Sequence, residues 1–426
     1  MKEHALRQAL HNEVHARPPE PMRAPLAISH VVMFTDAVAR EASRAHLLAL
    51  LNTHGLPLPQ AHVNHWRVDL GTWRLRWELH TEFVTWTFMV DAPAGLPRPE
   101  DYGMALRLLP QDWLQDLPGE CLARVHVWAK LTDNLADRDE LHQQFREDSL
   151  VACQLAEGTA TLHTDFQIGA DGSSRMLLRV GQVTQRRLGR MVQRLLEIET
   201  YRMMALLGLP VARAAAPALA QAEHELADLA QAIRSARQDE EAALLERLTR
   251  LAGQVESQYA AQHSRFSASQ AYFELVDRRI HDIRESRLTG FQTMGEFMDR
   301  RLSPARSTCD WVSRRQIALS ERVSRMSSLL RTRVDFQQEQ SSQALLAAMN
   351  RRQGMQLKLQ TTVEGLSVAA ITYYMAGLVH YVAEGMQTRG WVADPSLVTA
   401  YAVPLIAMVV WWITRRLHHK VLKPDA

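Results

Sequence analysis

Two apolar runs near the C-terminus constrain this chain more than any other feature. Residues 361–386 read TTVEGLSVAAITYYMAGLVHYVAEGM and residues 396–416 read SLVTAYAVPLIAMVVWWITRR, with the polar connector QTRGWVADP between them. Each run has about 20 largely apolar residues, the length a helix needs to cross ~30 Å of hydrocarbon. The expectation is a membrane hairpin: transmembrane helices at 361–387 and 396–415, an outer loop at 388–395 and a basic tail at 416–426. Arg351, Arg352 and Lys358 precede the first run, and Arg415, Arg416, Lys420 and Lys423 follow the second. Around the connector, Arg389 stands against Glu384 and Asp394. The excess of positive charge at the far ends places both termini in the cytoplasm. Trp411 and Trp412, followed by Arg415 and Arg416, suit the membrane interface, so a lipid bilayer is the first expected partner.

The rest of the chain is not membrane-like. Of 426 residues, 46% are hydrophobic and 23% charged, the balance of a globular protein with an anchor attached. A net charge of +2 gives no clustered basic surface for nucleic acid, and none is expected as a partner. Cys121, Cys153 and Cys309 form neither metal-ligand spacing nor a disulfide framework, in keeping with a reducing compartment. The first residues, MKEHALRQALHNEVHARPPEP, contain no apolar core of a signal peptide.

Residues 1–25 read as an irregular arm, because Pro18, Pro19, Pro21 and Pro25 stop any helix begun upstream. From residue 26 to 182 the pattern is that of an α/β domain. LAISHVVMF is a short apolar run, and an amphipathic stretch follows that ends at Gly55. HWRVDLG, TWRLRWELH and EFVTWTFMV alternate as strands do, with Trp73, Leu75, Trp77 and Leu79 sharing a face. CLARVHVWAKL, SLVACQLA, TATLHTDFQIG and SRMLLRVG continue the strand signals. A helical segment is expected near 102–117, a short helix near 138–145, and a tight turn at Ala170-Asp171-Gly172-Ser173. Strand signals then cease. Residues 183–302 read as helical, with a helix ending at Gly208-Leu209-Pro210 and a seam at Leu244, Leu248, Leu251, Val255 and Tyr259. A stalk helix is expected over 303–360, starting with Ser303 as cap and Pro304 at its first position, and running straight into the first apolar run. Its upper part carries a seam at Leu319, Val323, Met326, Leu330 and Val334. The fold class is therefore an α+β cytosolic domain with a mainly antiparallel sheet, followed by a long helical stalk and two C-terminal transmembrane helices.

Chemistry is harder to find. No phosphate-binding loop, dinucleotide fingerprint or nucleophile elbow occurs. His11 and His15 lie four apart in the arm, and His62 and His65 could offer two ligands, making these the candidate metal residues. Neither pair has a third ligand in sequence reach. His30, His80, His126 and His163 are scattered through the α/β part. The chain reads as non-enzymatic, and no cofactor is called for. On the first apolar run, a helical period groups Gly365, Ala369, Thr372, Tyr373, Ala376, Gly377, His380, Ala383 and Glu384 on one half, with bulky apolar residues on the other. Small and polar residues favour close helix contacts in lipid, and an ionisable residue inside a span is a functional candidate. The intramembrane polar face is accordingly placed at Thr372, Tyr373, His380, Glu384, Gly385, Met386 and Gln387.

The segments LHNEVHARPPEP, ETYRMMALLGLP and GFQTMGEFMDRRLSPARSTCDW are similar to those of an uncharacterised bacterial family described as predicted membrane-anchored proteins, over essentially the whole chain. That resemblance implies a bacterial inner-membrane location and supplies no activity. In layout the chain also resembles CorA-type magnesium channels: α/β domain, helical pair, stalk into the first span, short loop, and second span with basic end. Where that family has Tyr-Gly-Met-Asn, this chain has Glu384-Gly385-Met386-Gln387, matching at Gly385 and Met386. The leading expectation is a homo-oligomeric, non-enzymatic membrane protein that senses or tethers through its cytosolic part. An alternative is a CorA-like channel or transporter for a divalent cation, with Thr372, Tyr373, His380 and Gln387 near the pore. A third is a membrane-tethered enzyme using the histidines of the α/β domain.

Overall fold

The structure, a computed structural model, describes residues 3–8, 10–11, 18–59, 63–132, 144–387, 390–391 and 393–421. The chain divides into two units, one made of residues 1–235 and 246–327, the other of 236–245 and 328–426.

The first unit is built on a nine-stranded sheet. Its strands are β1 (Leu26–Phe34), β2 (His65–Asp69), β3 (Arg74–Leu79), β4 (Phe83–Asp91), β5 (Glu120–Leu131), β6 (Val151–Leu155), β7 (Ala160–Thr164), β8 (Ser174–Val180) and β9 (Ser286–Arg287). Their spatial order is β2-β3-β4-β1-β5-β8-β7-β6-β9. All ladders between neighbouring strands are antiparallel except β5 with β8. The sheet is thus mainly antiparallel, as the alternation of the sequence indicates. β1 lies inside the sheet between β4 and β5, and its largely apolar reading follows from burial on both faces.

Each face carries its own core. On one, Leu26, Ile28, Val125, Val127, Leu162 and Leu178 pack with Leu188, Val192 and Leu195 of helix α4 (Gln185–Leu206). On the other, Trp73, Leu75, Trp77, Trp86 and Trp128 pack with Leu47, Leu50 and Leu51 of α1 (Ala37–Thr53). Asp36 caps α1 by accepting from the Ala39 amide at 2.7 Å. Two short helices, α2 (Met104–Arg107) and α3 (Gln111–Gln115), lead to β5. The helix expected near 138–145 falls largely on residues outside those described.

The proline-rich arm is tied down where it is described. Met22 and Ala24 are buried, and the Met22 amide donates to the Gln185 carbonyl at 3.0 Å. Gly189 makes this passage possible: a Cβ there would sit 1.7 Å from the Glu20 carbonyl oxygen.

One expected helix boundary holds and another is corrected. A helix does end at Gly208-Leu209-Pro210: α4 stops at Leu206 with Leu207 as its C-cap, and a new helix, α5 (Gly208–Ser235), begins at once. Pro210 falls in the first turn of α5, where its missing N–H has no partner to lose. Gly208 also serves close packing, since a Cβ would lie 2.6 Å from the Ser269 hydroxyl and 3.2 Å from the Cys309 sulfur. Ser303-Pro304, by contrast, does not start a helix. After α6 (Glu241–Asp282), α7 runs from Met294 to Gln387 and carries Pro304 inside it. Its start is capped twice. The Glu285 carboxylate accepts from the amides of Met294 and Gly295, both at 2.9 Å. Thr293 and Glu296 exchange side-chain to backbone bonds at 3.2 and 3.0 Å, a capping box.

In the second unit, the last part of α7 is followed by α8 (Pro395–Val421). Both contain windows long and apolar enough to cross a membrane, and these windows are 6% and 0% buried. A third stretch, Gln185–Ser235, meets the same length and composition test, but a third of its window is buried inside the fold. There the apolar side chains of α4 make the sheet's core.

Candidate functional site

The alternation of β3 sends Leu75 and Trp77 to one face and Arg76 and Glu78 to the other. On a sheet exposed on one side, the second set would meet water. Here it lies beneath α4, and Arg76 and Glu78 are both buried. The ladders extend the polar set across three strands: Arg76 pairs with Thr87 and Glu78 with Thr85 on β4, and Thr87 pairs with His30 on β1. Thr85, Thr87 and His30 are buried too. From above, α4 contributes Gln193, Glu197 and Thr200 at helical spacing, and α6 contributes Arg279. Together these side chains line a cavity of about 310 Å³.

His30 bridges the layers. Its Nε2 is 3.0 Å from the Thr200 hydroxyl and its Nδ1 is 2.8 Å from that of Thr87. Thr200 donates its own proton to the Leu196 carbonyl at 2.8 Å, so it accepts from His30 Nε2–H, and Thr87 donates to Nδ1. Burial holds the His30 pKa down at about 3, reinforced by Arg76 against the opposing pull of Glu78, so the ring is neutral. Arg76 Nη2 donates to Glu78 Oε1 at 2.7 Å. Burial alone would push the Glu78 carboxyl up, but the Arg76 guanidinium outweighs it and holds that carboxyl below its ordinary range. Glu197 is held by Arg279 and by the Gln193 amide at 2.8 Å.

Among the described residues, three buried atoms of residues that line this cavity have no hydrogen-bond partner: Arg76 Nε, Thr85 Oγ1 and Gln193 Oε1. An unmatched polar group in a folded interior costs about 1–3 kcal/mol. Small side-chain adjustments around a polar ligand could satisfy two acceptors (Thr85 also a donor) and one cationic donor in the cavity's lining.

The candidate histidines separate. His30 and His80 line this cavity, His80 stacked on Phe83 with ring centroids 4.2 Å apart. His126 lies on the opposite face of the sheet. His163 is buried on β7. His65 is at the start of β2 and His11 is exposed in the arm, while His15 and His62 lie outside the described residues. Among the described residues, no group of three or more His, Cys, Asp or Glu side chains is placed to hold a metal ion. Arg76, Glu78, Thr85, Thr87, Gln193 and Thr200 escaped sequence reasoning, because alternation says which residues share a face and not whether that face is covered.

In the hairpin, partly or fully buried positions recur at helical spacing: Val368, Thr372, Ala376, His380 and Ala383 on α7, and Pro395, Thr399, Ala402, Ile406, Val410 and Thr414 on α8. His380 Nδ1 and Thr399 Oγ1, 3.0 Å apart, join the two helices. Thr372 donates to its own helix at the Val368 carbonyl. Glu384 lies 3.8 Å from His380, and the Gln387 amide reaches the Ala393 carbonyl at 3.5 Å. Tyr373 points outward and is 77% exposed, and Gly385 and Met386 are exposed near the end of the helix. Trp411 and Trp412 also face outward, with the Arg415 and Arg416 guanidiniums each 4.9 Å from the centre of the preceding tryptophan ring.

These features define a two-unit protein: an α/β unit enclosing a polar cavity, and a helical unit ending in an apolar hairpin. The chain belongs to the family described as Protein of unknown function (DUF3422), whose model matches residues 2–421. No curated protein and no solved structure matches it, and the likeness to CorA-type channels finds no support there.

Proposed function

We propose that this protein is a membrane-anchored sensor whose α/β unit binds a small polar molecule between the sheet and α4. The observation that carries this reading is that Arg76, Thr85 and Gln193, which line one cavity, each keep a buried polar atom with no partner among the described residues. At about 310 Å³ it is at the small end of ligand sites. Arg76 and Arg279 balance Glu78 and Glu197, and His30 is neutral, which favours a neutral or zwitterionic ligand over an ion. Both carboxylates are engaged by arginines and both His30 nitrogens are bonded. That supports binding over acid–base catalysis. A ligand bonded at once to Arg76 and Gln193 joins the sheet to α4, so its occupancy biases how firmly α4 is held.

The hairpin supports the anchoring half. Its outward surface carries Leu366, Ile371, Tyr374, Leu378, Leu405 and Met408, all exposed. A contiguous apolar surface of this extent marks a membrane or an assembly interface. The bilayer is the occupant we favour, with both termini cytoplasmic and copies able to associate through the same surface.

The test uses full-length protein in mild detergent. Thermal-shift screening against amino acids, betaines and polyols at millimolar concentration is expected to find stabilising compounds whose effect disappears in Arg76→Met/Glu78→Leu. Alkaline extraction of membranes should leave the intact chain in the pellet and release a chain lacking residues 361–426. Absence of any stabilising compound, or release of the intact chain, would count against the respective half.

A further inference from the structure

A second cavity, of about 600 Å³, lies on the opposite face of the sheet and shares no residue with the first. Its floor includes His126 on β5 and Arg175 on β8, which pair with each other, and His126 pairs in turn with Ser29 of β1 beneath it. His126 is held rigidly, with Nδ1 2.8 Å from the Ser29 hydroxyl and Nε2 3.1 Å from Asp171 Oδ2. Ser29 is fully buried, so this Ser-His-Asp series presents no nucleophile to the cavity; it fixes the floor. Asp171 is the aspartate of the turn before β8, and its other oxygen accepts from the Ser173 amide at 3.1 Å.

Three arginines from three separate elements line the space: Arg107 of α2, Arg124 of β5 and Arg175 of β8. Among the described residues, none of them forms an ion pair with a carboxylate. Arg124 Nη1 donates to the Asp171 carbonyl at 3.2 Å, while its buried Nε has no partner among the described residues. Arg175 lies 6.0 Å from the Tyr102 ring centre. Guanidinium forks match the oxygens of phosphate in pairs, and three of them leave this wall positive even after Asp171 and Glu100 are counted. Two glycines keep the space open. A Cβ on Gly169 would sit 3.1 Å from Asp171 Oδ1, and one on Gly103 would sit 3.5 Å from His126 Nε2. The remaining wall is apolar, from Leu106 and Leu114.

We propose that this cavity binds a phosphate-bearing small molecule of mononucleotide size, its phosphate on Arg124, Arg175 and Arg107 and its ring against Leu106 and Leu114. The volume lies in the middle of the range for small-molecule sites. The division into a cationic end and an apolar end is that of a ligand with a charged head and a flat body.

The experiment is calorimetric titration of the full-length protein in detergent with adenosine monophosphate, inorganic phosphate and citrate as probes. The expected result is saturable mononucleotide binding, weaker by about tenfold or more in Arg175→Gln and Arg124→Gln, as loss of a charge-assisted pair implies. Arg107→Glu reverses an exposed charge without touching the core, and is expected to weaken binding even if the strand variants fold poorly. Arg76→Met/Glu78→Leu should leave this binding unchanged, which separates it from the cavity under α4. No heat with any probe at millimolar concentration, or equal affinity in wild type and Arg107→Glu, would overturn the proposal. Citrate binding tightly with no mononucleotide binding would overturn the phosphate assignment.

Discussion

His30 of β1 donates a hydrogen bond to Thr200 of α4 across 3.0 Å, 170 residues apart in sequence, and this bond ties the helix to the sheet beside the buried polar row. Replacing Thr200 with valine keeps the volume and leaves His30 Nε2–H without an acceptor. The expected loss is about 1–3 kcal/mol, read as a lower unfolding temperature of the full-length protein.

The same histidine gives the unit a pH dependence. Its pKa in the fold is about 3 against an ordinary 6.5, because burial disfavours the charged ring. Between those values the unfolded chain takes up a proton that the folded chain refuses. The contribution is therefore fully present above pH 6.5 and is lost as the pH falls toward 3, by at most ~1.4 kcal/mol per pH unit. Thermal unfolding followed from neutral to acid pH should show the wild type losing stability faster than His30→Gln. Identical slopes would show that His30 is not buried neutral.

Gly189 and the Glu20 carbonyl occupy the same space that a side chain would need. Gly189→Ala must push the arm off α4, since the clashing atom is backbone, and overpacking of this kind costs about 1–3 kcal/mol. Hydrogen exchange should report the change at the Met22 amide, which bonds to Gln185. Protection there equal to wild type would contradict the close passage.

Glu285 caps the start of α7 through two backbone amides. Glu285→Ala removes both bonds, and the expected cost is about 1–2 kcal/mol. Faster exchange confined to the first turn of α7 would check it.

Much of the fold was legible in residue patterns. Near-strict alternation marked β3 and β4, a short largely apolar run marked β1, and the two apolar runs marked the hairpin helices. Gly208-Leu209-Pro210 marked a helix end correctly, and the misread boundary came from a local signal read without its tertiary partner. Ser303-Pro304 looked like a start because the true cap, Glu285, lies before a turn. The site was hidden by the same logic. TWRLRWELH shows Arg76 and Glu78 on one face, yet only the fold reveals that α4 covers them. Asp171 was read as a turn residue, which it is, but its second bond to His126 depends on a strand 45 positions away.

The central claim is that the Arg76–Glu78 pair under α4 serves a ligand and is not needed to hold the fold together. The double variant Arg76→Met/Glu78→Leu tests it most directly. Removing one partner of a buried pair costs about 3–5 kcal/mol, while replacing both with apolar residues of similar volume is close to neutral or stabilising. The measurement is the unfolding temperature of wild type and double variant, each with and without the stabilising compounds found by screening. The account predicts a variant at least as stable as wild type alone and no longer shifted by those compounds. A variant that is strongly destabilised, or that still responds to them, would contradict it.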